Sequence, residues 1–166
     1  MPEKKTVERA RKARKEGKSA STQAGEFVRE EIHHVREGKH GARSPQQAFA
    51  IGLSKARRAG VKLSAPKKGR VSEETREQAA RDTRKGQSGA KKISAKRSRA
   101  TTRALQREGT AAASSPALAR QATRAAARRT AGERSSAARK GSRSRTAEER
   151  SASARKAART RARRAA

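Results

Sequence analysis

Cysteine, tryptophan, tyrosine and asparagine are missing from the 166-residue chain, and only two phenylalanines and one methionine are present. Without cysteine there is no disulfide, thiolate metal site or cysteine nucleophile, which suits a reducing compartment. Without asparagine there is no N-glycosylation acceptor. No apolar run approaches the length of a membrane span, and the opening MPEKKTVERARKARKEGK lacks the apolar stretch of a secretory signal. The scarcity of aromatic and planar side chains also removes most means of reading base edges or stacking on single strands.

Negative charge is scarce as well. Lys and Arg number 46 against 15 Asp and Glu, a formal net charge of +31. Self-repulsion on that scale calls for a polyanion, and nucleic acid gains affinity without sequence reading when cations displace its condensed counterions. Only 31% of residues are hydrophobic, and most of these are alanine, which buries little surface. A single conventional core across the whole chain is therefore excluded. The composition predicts a small ordered region followed by a long solvated tail.

Large apolar residues concentrate in the first 70 positions: Val7, Phe27, Val28, Ile32, Val35, Phe49, Ile51, Leu53, Val61 and Leu63. In GEFVREEIHHVRE, Val28, Ile32 and Val35 share a helical face. Glu26, Glu30 and Glu31 precede His33, His34 and Arg36 in the sense the helix dipole favours, and Gly38 follows as a stop. A second helix is predicted from Ser44-Pro45 to Gly60, with Phe49, Leu53 and Ala56 at the same spacing and Val61 sealing its end. Gly52 costs helix propensity but permits another helix to come close. The predicted helical hairpin, residues 21–63, has a core of Phe27, Val28, Ile32, Val35, Phe49, Leu53 and Ala56. Residues 1–20 read as a basic arm and 64–90 as a linker with a polar helix that starts at Ser72 and ends near Gly86. Residues 91–166 read as a basic low-complexity tail with 23 basic and 4 acidic residues and caps at Ser94 and Ser115-Pro116. The fold class expected is all-α, a hairpin plus Ala/Arg-rich helices with little core, much of the tail disordered or marginally helical when free.

Within the tail, TAGERSSAARK from Thr130 returns as TAEERSASARK from Thr146, and both copies open with the T-x-x-E pattern of a capping box. Three arginine triads have i, i+4 spacing: Arg99, Arg103 and Arg107; Arg120, Arg124 and Arg128; Arg155, Arg159 and Arg163. Like charges so placed oppose an isolated helix by about 0.2–0.5 kcal/mol per pair, a penalty that bound phosphate removes. These nine residues, with Lys55, Arg57, Arg58, Lys67 and Lys68, are the expected phosphate contacts.

Other chemistries find less support. His33, His34 and His40, with Glu30 four positions before His34, suggest a metal, but further ligands are not evident and none is expected. Gly17-Lys18-Ser19 resembles the end of a phosphate-binding loop, yet Lys12 stands where the earlier glycine belongs and no strand precedes it. No Ser/His/acid arrangement or apolar pocket is inferred, so neither enzymatic activity nor a cofactor is expected. The tail lacks the large apolar face of a membrane-surface helix.

The block STQAGEFVREEIHHVREGKHGARSPQQAFAIGLSKARRAGVKL, Ser21 to Leu63, resembles the signature of a bacterial family of unknown function that joins it to a Lys/Arg- and Ala-rich tail. Pro45 and Phe49 depart from the lysine or threonine and the isoleucine expected there, leaving the amphipathic pattern intact. RSRATTRALQREGTAAASSPALARQATRAAARR and SASARKAARTR are similar to that family's C-terminal half, and the tail alone resembles linker-histone-like bacterial tails that bind DNA. The resemblance implies a bacterial cytoplasm and transfers no catalytic residue. The expected activity is non-enzymatic, sequence-nonspecific binding and compaction of duplex DNA in the nucleoid. The alternatives are an RNA- or ribosome-associated protein, or an adaptor whose hairpin binds a protein partner.

Overall fold

The computed structural model describes residues 2–88, 94–143 and 145–165. The described residues form eight α-helices and no strand: α1 Lys4–Lys15, α2 Ala20–Arg36, α3 Pro45–Arg58, α4 Glu73–Gln87, α5 Ala95–Gln106, α6 Ser115–Ala127, α7 Ala131–Arg143 and α8 Ala147–Ala165, with a 3-10 turn at Ala111–Ala113. The chain is all-α. It divides into two units, residues 1–121 and 122–166. The expected boundary at residues 90 and 91 falls outside the described residues.

Helix α2 starts earlier than its large apolar residues suggest. Ser19 caps it by accepting from the Thr22 amide at 3.3 Å, and the buried face begins at Ala24 and Phe27. Its last turn carries His33, His34 and Arg36, where positive charge meets the carbonyl end of the helix dipole. Gly38 follows with φ of 70°. Ser44 caps α3 by accepting from Gln47, with Pro45 at the first helical position. At the other end Gly60 takes φ of 87°, and the Val61 amide donates to the Ala56 carbonyl at 3.1 Å. Val61 is buried, completing the apolar seal of this helix end.

Two apolar clusters hold the first unit together. One joins Ile32, Val35, Ala42 and Ala48 to Ala112 and Ala113, with Phe49 and Leu118 packed beside it. The other joins Ala10, Ala24, Phe27, Ala56 and Val61, with Leu53 alongside. Of the expected core, Phe27, Ile32, Val35 and Ala56 are buried, whereas Val28, Phe49 and Leu53 are half-buried. Gly52 is where α2 and α3 meet: a Cβ there would lie 2.8 Å from the Val28 Cα.

The polar helix starts at the Ser72 cap and ends near Gly86 as expected, at Gln87, and the absent side chain of Gly86 in its last turn admits the Arg57 carbonyl of α3. Two expectations about the ordered region are corrected. Residues 1–20 are not a detached arm, because α1 packs on α2 through buried Thr6, Ala10 and Ala13. The tail does not begin outside the core either. The Gly41 amide donates to the Leu105 carbonyl at 2.9 Å and the Ala42 amide to the Gly109 carbonyl at 3.0 Å. The Arg36 guanidinium donates to the Ala113 carbonyl at 2.8 Å. Residues 105–118 thus close the open end of the hairpin.

In the second unit, both copies of the repeat begin with the same reciprocal cap. The Thr130 and Thr146 amides donate to Glu133 and Glu149 at 2.9 Å, and the two glutamate amides donate back to the threonine hydroxyls at 3.2 Å. α6 is capped by Ser114, one residue before the expected Ser115.

The helix crossing makes a paired prediction. Gly52→Ala is expected to lower the unfolding free energy by about 1–3 kcal/mol through overpacking against backbone. Gly25→Ala, at an exposed position of α2 with nothing within 4 Å of the added carbon, should raise it by up to about 1 kcal/mol. Urea unfolding followed by circular dichroism measures both.

Candidate nucleic-acid interface

Arginines four positions apart on an α-helix lie about 6 Å apart along its axis and nearly in line. In the first unit, Arg99 and Arg103 lie on α5, Arg107 caps its C-terminal end, and all three are exposed. Arg120 and Arg124 lie on α6 with Arg128 just beyond it, and they too are exposed. In the second unit, Arg155, Arg159 and Arg163 form an exposed row on α8. α5, α6 and α7 contain no buried residue, so these helices gain little from packing. Residues 122–166 hold 15 basic and 3 acidic residues. Two of those acids, Glu133 and Glu149, are hydrogen-bonded within their capping boxes.

The five remaining candidates divide. Lys67 and Lys68 are exposed in the segment between α3 and α4. Lys55 is turned inward, with its ammonium 2.5 Å from Glu31 Oε2 and 3.6 Å from Glu30 Oε1. Arg57 is buried and donates to the Leu63 and Ser64 carbonyls at 3.4 and 3.3 Å. Burial pushes its pKa down while Asp82 opposes the shift. Arg58 stays exposed but lies 3.5 Å from Asp82 and donates to the Ser54 hydroxyl at 2.8 Å. Lys55 and Arg57 are therefore withdrawn as phosphate contacts, because internal carboxylates and carbonyls already occupy them. Arg58 is shared with Asp82.

No protein-family model, curated protein or solved structure matches the chain.

The interior holds a second polar constellation. Glu30 and Glu31, expected to serve the dipole at a helix start, sit mid-helix because α2 begins ten residues before Glu30, and both are buried. Glu30 Oε2 accepts from the Glu3 amide at 3.2 Å, tying down the start of α1. Glu31 is fully enclosed, with Oε2 facing Lys55 and Oε1 lying 3.2 Å from His40 Nε2. These are ion-pair distances, but neither Glu31 oxygen receives a well-formed hydrogen bond. Distance decides the electrostatics here, so the Lys55 pairing stands and the carboxylate remains under-solvated. His34 Nε2 meets Glu3 Oε1 at 2.9 Å. That hydrogen bond holds the Glu3 carboxyl below its ordinary range, with Lys39 assisting and desolvation opposing.

Helical periodicity placed His34 three residues after Glu31. The approach of His40 from the following loop, and of Asp82 to Ser54 at 2.6 Å, depends on chain reversals that no local pattern records. Removing the cation that serves two buried carboxylates makes a sharp test. Lys55→Met should cost about 3–5 kcal/mol of stability. Lys67→Met, on the exposed segment, should stay within about 0.5 kcal/mol. Denaturant midpoints of the two variants give the comparison.

Proposed function

We propose that the chain is a non-enzymatic, sequence-nonspecific binder of duplex DNA that compacts the nucleoid of a bacterial cytoplasm. The observation that carries this reading is the set of three exposed arginine rows on helices that bury none of their described side chains, within a chain of net charge +31. Buried carboxylates of the first unit are matched by cations, as at Lys55 with Glu30 and Glu31 and Arg58 with Asp82. Most of the surplus lies on the Ala/Arg-rich helices and their connections, since residues 91–166 carry 23 basic and 4 acidic residues, +19 of the chain's +31. Phosphate supplies what these helices lack, because it relieves repulsion between arginines and releases counterions on binding. The packed unit of residues 1–121 supports a scaffold role, presenting α5 and Lys67 and Lys68 at its surface. RNA offers the same phosphate chemistry and is the competing ligand.

Affinity for duplex DNA should fall with salt along a log-log line whose slope is about −0.9 per phosphate neutralised. Replacing Arg155, Arg159 and Arg163 together by glutamine should flatten that slope by about 2.7 if each contacts one phosphate. Fluorescence anisotropy across a salt series, with random-sequence duplex DNA and structured RNA in parallel, reads the slope and the preference. An affinity independent of salt rejects the mechanism, and a marked preference for RNA reassigns the ligand.

A further inference from the structure

The imidazole of His40 is held by the Gly41 carbonyl, 3.1 Å from Nδ1. A nitrogen that donates to a carbonyl carries the ring's proton, so neutral His40 presents the Nε2 lone pair. That lone pair faces Glu31 Oε1 at 3.2 Å. Two acceptors at that separation need a cation between them, either a second proton on the ring or a metal ion. Bonds of about 2.0–2.1 Å to tetrahedral zinc place neighbouring donors about 3.3 Å apart, which is the spacing found here.

A third donor is in place. One ligand atom from each of Glu31, His34 and His40 lies within 4.8 Å of the other two. The two rings stand edge-on at 86° with centroids 6.1 Å apart, so they do not stack across the space between them. Both histidines have outer-shell partners that fix their rings, Glu3 for His34 and the Gly41 carbonyl for His40, as metal-bound histidines do. Glu31 is fully buried with neither oxygen receiving a well-formed hydrogen bond. Local charge points the same way. Glu3, Glu30, Glu31 and Glu37 face Lys39 and Lys55, and Glu26 faces Arg9 and Arg29, five acids against four cations that leave a net negative charge when the histidines are neutral.

We infer that Glu31, His34 and His40 form a site for a divalent transition-metal cation of the zinc class, with the fourth position open to water. Two imidazoles and a carboxylate suit zinc, which needs no thiolate. The ion fastens the loop after α2 to α2 itself, and binding is therefore linked to the stability of the hairpin.

Full-length protein stripped of metal should bind one equivalent of Zn²⁺ by calorimetry, and Co²⁺ should give the intense visible absorption of a tetrahedral site. Zinc should raise the melting temperature. His34→Ala with His40→Ala should weaken zinc binding by more than about tenfold, whereas His33→Ala, an exposed neighbour, should leave it intact. X-ray absorption of zinc-loaded wild type should show two imidazole ligands, a readout that does not depend on how the variants fold. Absence of binding overturns the proposal, as does unchanged affinity in the double variant or a zinc spectrum without imidazole. A ¹⁵N spectrum in which His40 stays doubly protonated after zinc addition assigns the bridging cation as a proton and equally overturns it.

Discussion

The first unit depends on how closely its helix backbones approach. With few large apolar side chains to spend, the chain builds its core from alanine and glycine, and such a core holds only when backbones come nearly into contact. Gly52 against Val28 and Gly86 against the Arg57 carbonyl are two of these contacts, and Ala24, Ala48, Ala56 and Ala113 are fully enclosed around them. Each alanine contributes little transfer energy. Dispersion between tightly packed atoms and satisfied backbone groups supplies much of the rest. Close approach also explains why polar groups are drawn inside: Glu30, Glu31 and Asp82 occupy space that longer apolar chains fill in other proteins, and each is held near a cation.

Charge is therefore sorted by location. The buried carboxylates of the first unit, Glu30, Glu31 and Asp82, are engaged with cations on neighbouring elements, whereas α8 has long rows of cations with acids confined to its first turn, at Glu148 and Glu149. The first arrangement stabilises a fold, and the second leaves positive potential directed outward. A chain of uniform composition could not do both.

Much of this organisation was legible in the residues. The faces of α2 and α3, the Ser44-Pro45 start, the Gly60-Val61 seal and both capping boxes follow from local rules, because local hydrogen bonds and helical spacing determine them. What escaped was carried by small or charged residues. Ala20, Ala24, Ala10 and Ala13 give a weak hydrophobic signal, so the first turn of α2 and the packed face of α1 were hidden among lysines and arginines. Lys55 and Arg57 look identical to solvent-facing cations until the carboxylate and carbonyl groups around them are known. His40 and Glu31 are nine positions apart and meet only because the chain turns at Gly38 with positive φ.

The closure of the hairpin by a distant segment has a consequence for biogenesis. Arg36 and its carbonyl partner Ala113 are 77 positions apart, and the hairpin is complete only near Leu63, so at translation rates of about 5–20 residues per second the nascent hairpin waits about 2.5–10 s for its lid. Throughout that interval Val35 and Ala48 lie at an uncovered rim, and the ribosome holds a tethered folding intermediate whose last wall is still being synthesised.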